Sequence, residues 1–203
     1  MGEHACRISS LARYAGAFGA TGGTGAELAE LAFGTQLNLR LDPKGPAAER
    51  VALALGTPLP AEPNTYIQAG PLTMCWLGPD EWLLLAPPDQ AGQLTAQVSD
   101  ALGDEPGSVA DVSAYRTTIR LSGTHARDVL AHGCALDLHP RVFGPGQCAQ
   151  TLLARARVLL VADDDGAWRI LVRSSFARYL ADWLLDAAAE YHPPPAASVG
   201  SAA

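Results

Sequence analysis

Apolar and polar residues alternate one for one from Gln36 to Leu41, the two-residue period of a strand with one buried face. Asp42-Pro43-Lys44-Gly45-Pro46 breaks that period. Ala47 to Leu55 then reads as a helix, opened by Pro46 in its first turn and closed by Gly56. A connector rich in proline (Pro58, Pro60, Pro63) leads to extended segments at 65–68, 72–77 and 81–86. The last two form a hairpin around Gly78-Pro79-Asp80, where Pro fixes φ and Asp bonds its own backbone. Asp89 is expected to cap a helix reaching Leu102. After the linker Gly103–Gly107, strands are predicted at Val109–Ser113 and Arg116–Leu121, the second favoured by its β-branched residues. A helix from His125 to Ala131 ends at Gly133, and 136–138 is short and extended. Strands follow at Gln147–Leu153, Arg157–Ala162 and Trp168–Val172, the last two joined by the turn Asp163-Asp164-Asp165-Gly166. Ser174 is expected to cap a final helix to Glu190, with Phe176, Tyr179, Leu180, Trp183, Leu184 and Ala187 on one face.

Set side by side, the two halves repeat. Strand, helix, hairpin and helix at 36–41, 47–55, 72–86 and 89–102 match those at 116–121, 123–132, 157–173 and 174–190. Each is a β-α-β-β-α unit, whose sheet has one face under helices and one bare. Two such units can bury their bare faces against each other. The predicted class is therefore α+β, with antiparallel-rich sheets and two pseudo-repeated units. A Gly- and Ala-rich lead-in covers 1–35, with short helices at Leu11–Phe18 and Ala26–Ala32. The halves span 36–103 and 108–191, and 192–203 reads as a disordered tail of Pro, Ala, Ser and Gly.

Charge narrows the partners. The net charge is −7 and Lys44 is the sole lysine, which speaks against nucleic acid. The remaining cations are arginines, enriched only around Arg155–Arg157 and Arg169–Arg178. Hydrophobic content of 48% against 17% charged residues supports a real core, and one reason for so apolar a composition is an obligate partner. No run reaches the roughly 18 apolar residues of a membrane span. No signal peptide is read at the start, so a cytoplasmic location is expected. Cys6, Cys75, Cys134 and Cys148 lack CxxC spacing and read as small buried hydrophobes.

No residue pattern assembles a reaction centre. The glycine-rich run Gly16–Gly25 lacks both a preceding β-branched strand and a closing Gly-Lys-Ser/Thr, so it reads as a lead-in rather than a phosphate loop. His132, Cys134, His139 and Cys148 are zinc-type ligands without the paired spacing of a zinc site. Cys134, His132 and Asp137 are the residue types of nucleophile, base and orienter without a nucleophile signature. Asp111, at a strand end before Ser113, serves as a turn cap or as an acidic anchor. Asp163–Asp165 lacks the ligand spacing of a calcium loop. The stripe Phe176, Tyr179 and Trp183 reads as core, with Arg173 and Arg178 suited to an interface rim.

Longer segments carry a family resemblance. They are Gln36–Pro43, Leu55–Pro60, Trp76–Leu85, Asp111-Val112-Ser113 with Arg116-Thr117, and Leu121-Ser122-Gly123 with Ala126–Leu130. The series continues through Gly133-Cys134 with Leu136–Pro140, Gly146 with Cys148–Thr151, and Val172–Ala177 with Tyr179. From about residue 8 to 191 the chain resembles the gamma subunits of heterotetrameric sarcosine oxidase. The resemblance implies the folate-binding fold of aminomethyltransferases such as the glycine-cleavage T-protein. It implies a complex with alpha, beta and delta chains that oxidises sarcosine to glycine with oxygen. The products are hydrogen peroxide and formaldehyde or 5,10-methylenetetrahydrofolate. FAD, FMN, NAD, zinc and tetrahydrofolate are then expected on other subunits and none on this chain. The resemblance brings no catalytic, cofactor-binding or metal residue to this sequence, and it implies a structural role in assembly. The alternative is a stand-alone folate-binding protein, with Asp111 as the acidic group gripping the pterin.

Overall fold

Alternation along the strands is used on both faces, and this builds the molecule in four layers. The computed structural model describes residues 7–23 and 25–191. A 3₁₀ turn (Ala12–Tyr14) runs into α1 (Ala15–Gly19), followed by β1 (Glu27–Leu31), β2 (Thr35–Leu41), α2 (Pro46–Leu55), β3 (Tyr66–Ala69), β4 (Leu72–Gly78), β5 (Glu81–Ala86) and α3 (Ala91–Leu102). Then come β6 (Gly107–Asp111), β7 (Arg116–Ser122), α4 (Ala126–Ala131), β8 (Cys148–Leu153), β9 (Ala156–Ala162), β10 (Trp168–Arg173), a 3₁₀ turn at Ser174–Phe176, and α5 (Ala177–Ala189).

Two five-stranded sheets result, in orders β3-β4-β5-β2-β6 and β8-β9-β10-β7-β1. Every neighbouring pair in these two orders is antiparallel. In the first sheet Leu37, Leu39, Leu41, Met74, Trp82 and Leu84 face Val51, Leu55, Leu94 and Val98 of α2 and α3. In the second, Ile119, Leu121, Leu160, Trp168 and Ile170 face α4 and α5. The residues one step out of phase meet in the middle: Tyr66, Cys75, Leu83 and Leu85 from the first sheet and Cys148, Leu159, Val161 and Leu171 from the second. The bare faces do bury each other, and the burial of apolar surface between them is the main cohesive force.

Polar contacts fix how the sheets sit. Tyr66 donates its hydroxyl to Ala162 O (2.8 Å), and Thr65 bridges Gln147 at the joined edges of β3 and β8. Arg169 reaches from β10 to Thr73 Oγ1 of β4 (3.0 Å) while its Nη2 lies 2.7 Å from Asp163. Gln36 donates to Arg116 O (3.0 Å) and Gln150 to Leu77 O (3.0 Å).

Several local expectations are corrected. Ala26–Ala32 is not a helix: β1 pairs with β7 in the register Leu28↔Leu121, burying Leu28 and completing the second sheet. Part of the expected lead-in is thus built into the core. The first half also carries one strand more than a β-α-β-β-α unit and the second two, because β3 and β8 extend the hairpins to three strands and β6 precedes β7. Asp89 does not cap α3. It sits at φ +63° with its carboxylate 3.2 Å from Arg7, and Thr35 Oγ1 instead accepts from Gln90 N (3.1 Å). Ser174 does not cap the last helix either, since its hydroxyl donates to Ala114 O (3.0 Å). Residues 136–138 are irregular. The closure of α2 is as read, with Gly56 left-handed at φ +64°. The expected tail, 192–203, and Cys6 lie outside the described residues. No helix among the described residues is long and apolar enough to cross a membrane.

Candidate functional site

The expected candidates do not gather into one site. His132, at the end of α4, lies 3.2 Å from the Tyr191 hydroxyl and 3.8 Å from Glu190. Cys134 bridges Leu153 by its backbone, and the His139 ring accepts from Arg141 N (3.2 Å). Cys148 is buried between the sheets, its thiol donating to Thr65 O (3.2 Å). A hydrogen bond with Cys148, then burial, pushes the Cys75 thiol well above its usual value. The same bond holds Cys148 low. Asp137 accepts from His139 N (2.9 Å) within its own loop, so the Cys134, His132 and Asp137 grouping is not assembled. No cluster of three or more His, Cys, Asp or Glu suited to a metal occurs among the described residues.

Asp111 is a turn cap. It accepts from Ser113 N (2.9 Å) and from the Ser113 hydroxyl, and these two bonds hold its carboxyl below the usual range. Asp163 pairs with Arg169 and Asp165 with Arg120 (2.6 Å), so the aspartate turn spends its charge on neighbouring arginines. In the glycine-rich run, Gly23 N donates to the chain's own Glu27 carboxylate (2.9 Å), which occupies an amide that an anion would need.

What the structure does assemble is a cleft at one end of the second sheet. The inter-sheet face of that sheet continues past the apolar contact, and there its residues become arginines. By the two-residue period, Arg116 of β7, Arg157 of β9 and Arg173 of β10 share the face of Leu159 and Leu171. Arg116 and Arg173 are directly opposite in the β7–β10 register. With Tyr115, Gln150, Thr151 and Leu152 they line a cavity of about 380 Å³. Tyr115 is held between two guanidinium groups, 4.7 Å from Arg116 and 5.1 Å from Arg173.

Burial depresses the Arg116 pKa, and the charge of Arg173 adds to that effect, while Tyr115 and Glu81 oppose it. Glu81 itself is committed to Arg40 (2.6 Å) and Asn38 (2.8 Å). Among the described residues, none of the three guanidinium groups has an ion pair or hydrogen-bond partner. A second cleft of about 350 Å³, lined by Arg7, Ser9, Ser10, Phe33, Ser113 and Ser174, lies on the other side of Arg116.

The surroundings are those of an interface. Tyr115, Leu152, Phe176 and Tyr179 are 41%, 51%, 43% and 39% exposed, which is high for large apolar side chains. The expectation that Phe176 and Tyr179 are core is therefore corrected: α5 meets its sheet through Ala177, Leu180, Ala181, Leu184 and Ala188. The alanines among them bring the helix close, and the aromatic pair is left outside. The arginine cleft was not foreseen as a site. Its signal was the arginine enrichment in two runs on either side of the Asp163–Gly166 turn, which pairing of β9 with β10 brings side by side.

Comparison with known proteins finds relatives over most of the chain. The family model for the sarcosine oxidase gamma subunit matches residues 40–190. The sarcosine oxidase subunit gamma of Corynebacterium sp. (strain P-1) is 42% identical over 171 residues, covering 83% of this chain and 82% of that protein. The counterpart from Arthrobacter sp. is 41% identical over 169 residues, with the same 83% and 82% coverage. Among solved structures, a chain of the heterotetrameric sarcosine oxidase from Corynebacterium sp. U-96, in complex with pyrrole 2-carboxylate, matches with a TM-score of 0.87 and 39% identity. That match covers 94% of this chain and 98% of that one. The glycine cleavage system aminomethyltransferase T from Bartonella henselae matches with a TM-score of 0.59 and 17% identity, over 79% of this chain and 45% of that one. The latter likeness is one of fold alone.

Proposed function

Because this chain belongs to the sarcosine oxidase gamma subunit family, we propose that it is the non-catalytic gamma subunit of a heterotetrameric sarcosine oxidase. The observation that carries this reading is the near-complete match to a chain of such an assembly, 98% of it at a TM-score of 0.87. The complex demethylates sarcosine to glycine in the cytoplasm. Oxygen takes the electron pair to become hydrogen peroxide, and the methyl carbon leaves as formaldehyde or enters 5,10-methylenetetrahydrofolate. In this reading the alpha, beta and delta chains hold FAD, FMN, NAD, zinc and tetrahydrofolate, and this chain supplies docking surface.

Residues 36–103 and 108–191 are then two copies of one unit. The parallel strand orders β3-β4-β5-β2-β6 and β8-β9-β10-β7-β1 support this, because each position in one has its counterpart in the other. The fifth strand of each sheet comes from outside its own half: β6 follows the first half, and β1 precedes it. The division is thus of sequence, and the two halves fold as one body.

A stand-alone folate-binding role finds no support in the geometry. Asp111, its acidic anchor, is exposed and already bonded to Ser113. The test is fluorescence titration of the purified chain with tetrahydrofolate. No saturable change at high-micromolar ligand is expected, and tight binding would overturn the non-catalytic reading.

A further inference from the structure

We propose that the arginine cleft of Arg116, Arg157 and Arg173 is the seat for a carboxylate-bearing segment of another chain in the oxidase assembly. This rests on the subunit reading above and assigns it a surface. The three guanidinium groups come from three different strands, so the sheet pairing itself collects them. Like charges gathered without an acid repel one another, and in a chain of net charge −7 the acids to neutralise them were available. No carboxylate lines the cleft, and Glu81, whose charge reaches Arg116, is committed to Arg40 and Asn38. The missing anions are therefore to be supplied from outside, and planar guanidinium forks are matched to carboxylates.

The occupant is a polypeptide rather than a small metabolite on two grounds. Arg157 and Arg173 are exposed, so the cleft is open rather than enclosing, whereas small-ligand pockets bury most of their ligand. The exposed Tyr115 also lies against two of the guanidinium groups, and two further exposed aromatics follow Arg173 along the chain. Phe176 and Tyr179 lie three and six residues past Arg173, with their rings edge-on at 6.4 Å. Arginine with aromatic neighbours is the composition of binding hot spots.

The experiment co-expresses this chain with the other three chains and reads its occupancy in the purified complex at rising NaCl. R157E/R173E is the test variant, and K44E, on the turn after β2, is the control. Wild type and K44E are expected to be retained equally. R157E/R173E is expected to fall below a tenth of wild-type occupancy with the melting temperature of the chain unchanged. Should the reversal impair folding, the neutral R157Q/R173Q is read the same way and is expected to lose occupancy several-fold. Occupancy of R157E/R173E within twofold of wild type overturns the assignment and leaves the subunit reading intact. Absence of wild-type chain from any complex overturns both. Arginine-dependent binding of citrate by the chain, with assembly unaffected in R157E/R173E, identifies a small-anion site and overturns the partner assignment.

Discussion

Single residues decide whether buried polar groups are satisfied. Trp82 is 1% exposed and donates its indole N–H to Pro60 O (2.9 Å), tying the proline connector to the first sheet. Trp82→Phe keeps most of the apolar bulk and removes the donor. It is expected to cost about 1–3 kcal/mol for the orphaned carbonyl, seen as a lower urea midpoint at unchanged slope. Asp163 behaves differently, because burial, opposed by Arg169, raises its pKa above the ordinary aspartate value of 3.8. The folded form thus holds its proton to higher pH than the unfolded chain. Its contribution to stability is fully present below the unfolded pKa and is lost as pH rises through the folded one. The stability of wild type relative to Asp163→Asn should therefore fall as pH rises from the ordinary aspartate value of 3.8 through the raised folded value, as read from denaturant midpoints across the acid range. At this scale the sequence is a partial guide. The turn at Asp163–Gly166 was legible from residue type, but the partner of Asp163 depended on which strand returned beside it.

Elements with strong local signals were legible. The helix Pro46–Leu55 carries its own start and stop in Pro46 and Gly56, and Trp76–Pro87 carries its own turn. β1 was not legible, because Glu-Leu-Ala-Glu-Leu satisfies a helix as well as a strand, and its partner β7 lies some 90 residues on. Tertiary pairing settled the choice. The junction is tight: Gly123 sits at φ +102°, and a Cβ there would lie 2.4 Å from Gly25 O, while His125 N donates to the same carbonyl (2.7 Å). Thr117 Oγ1 also holds Glu30 of β1 (2.6 Å). Gly123→Ala should therefore peel β1 from β7 and cost more than about 2 kcal/mol, from backbone strain and clash together. Hydrogen exchange should show lost protection first at Ala29 and Leu31, whose amides face β7, since the Leu28 amide donates to Thr21 Oγ1 instead. Full protection there would show that β1 does not depend on that close approach.

For the whole molecule, two helix-covered sheets pressed together were foreseeable from the repeated order of elements, since a sheet with one bare face needs cover. The arginine cleft was only hinted at by arginine enrichment, because it forms where the inter-sheet contact ends and joins Arg116 to a hairpin about 40 residues on. The same architecture explains the role. Its central volume is filled by Tyr66, Leu83, Leu159 and Leu171, and its distinctive surface is cationic and aromatic at one end. A body of that kind contributes shape and contacts to an assembly. The most direct test is to purify the co-expressed oxidase through a tag on this chain, and to determine chain stoichiometry by native mass spectrometry alongside sarcosine-dependent peroxide formation. The account predicts one copy of each of the four chains, with peroxide formed by that complex and none by this chain alone. Recovery of this chain without the others, or peroxide formation by the chain alone, would contradict it.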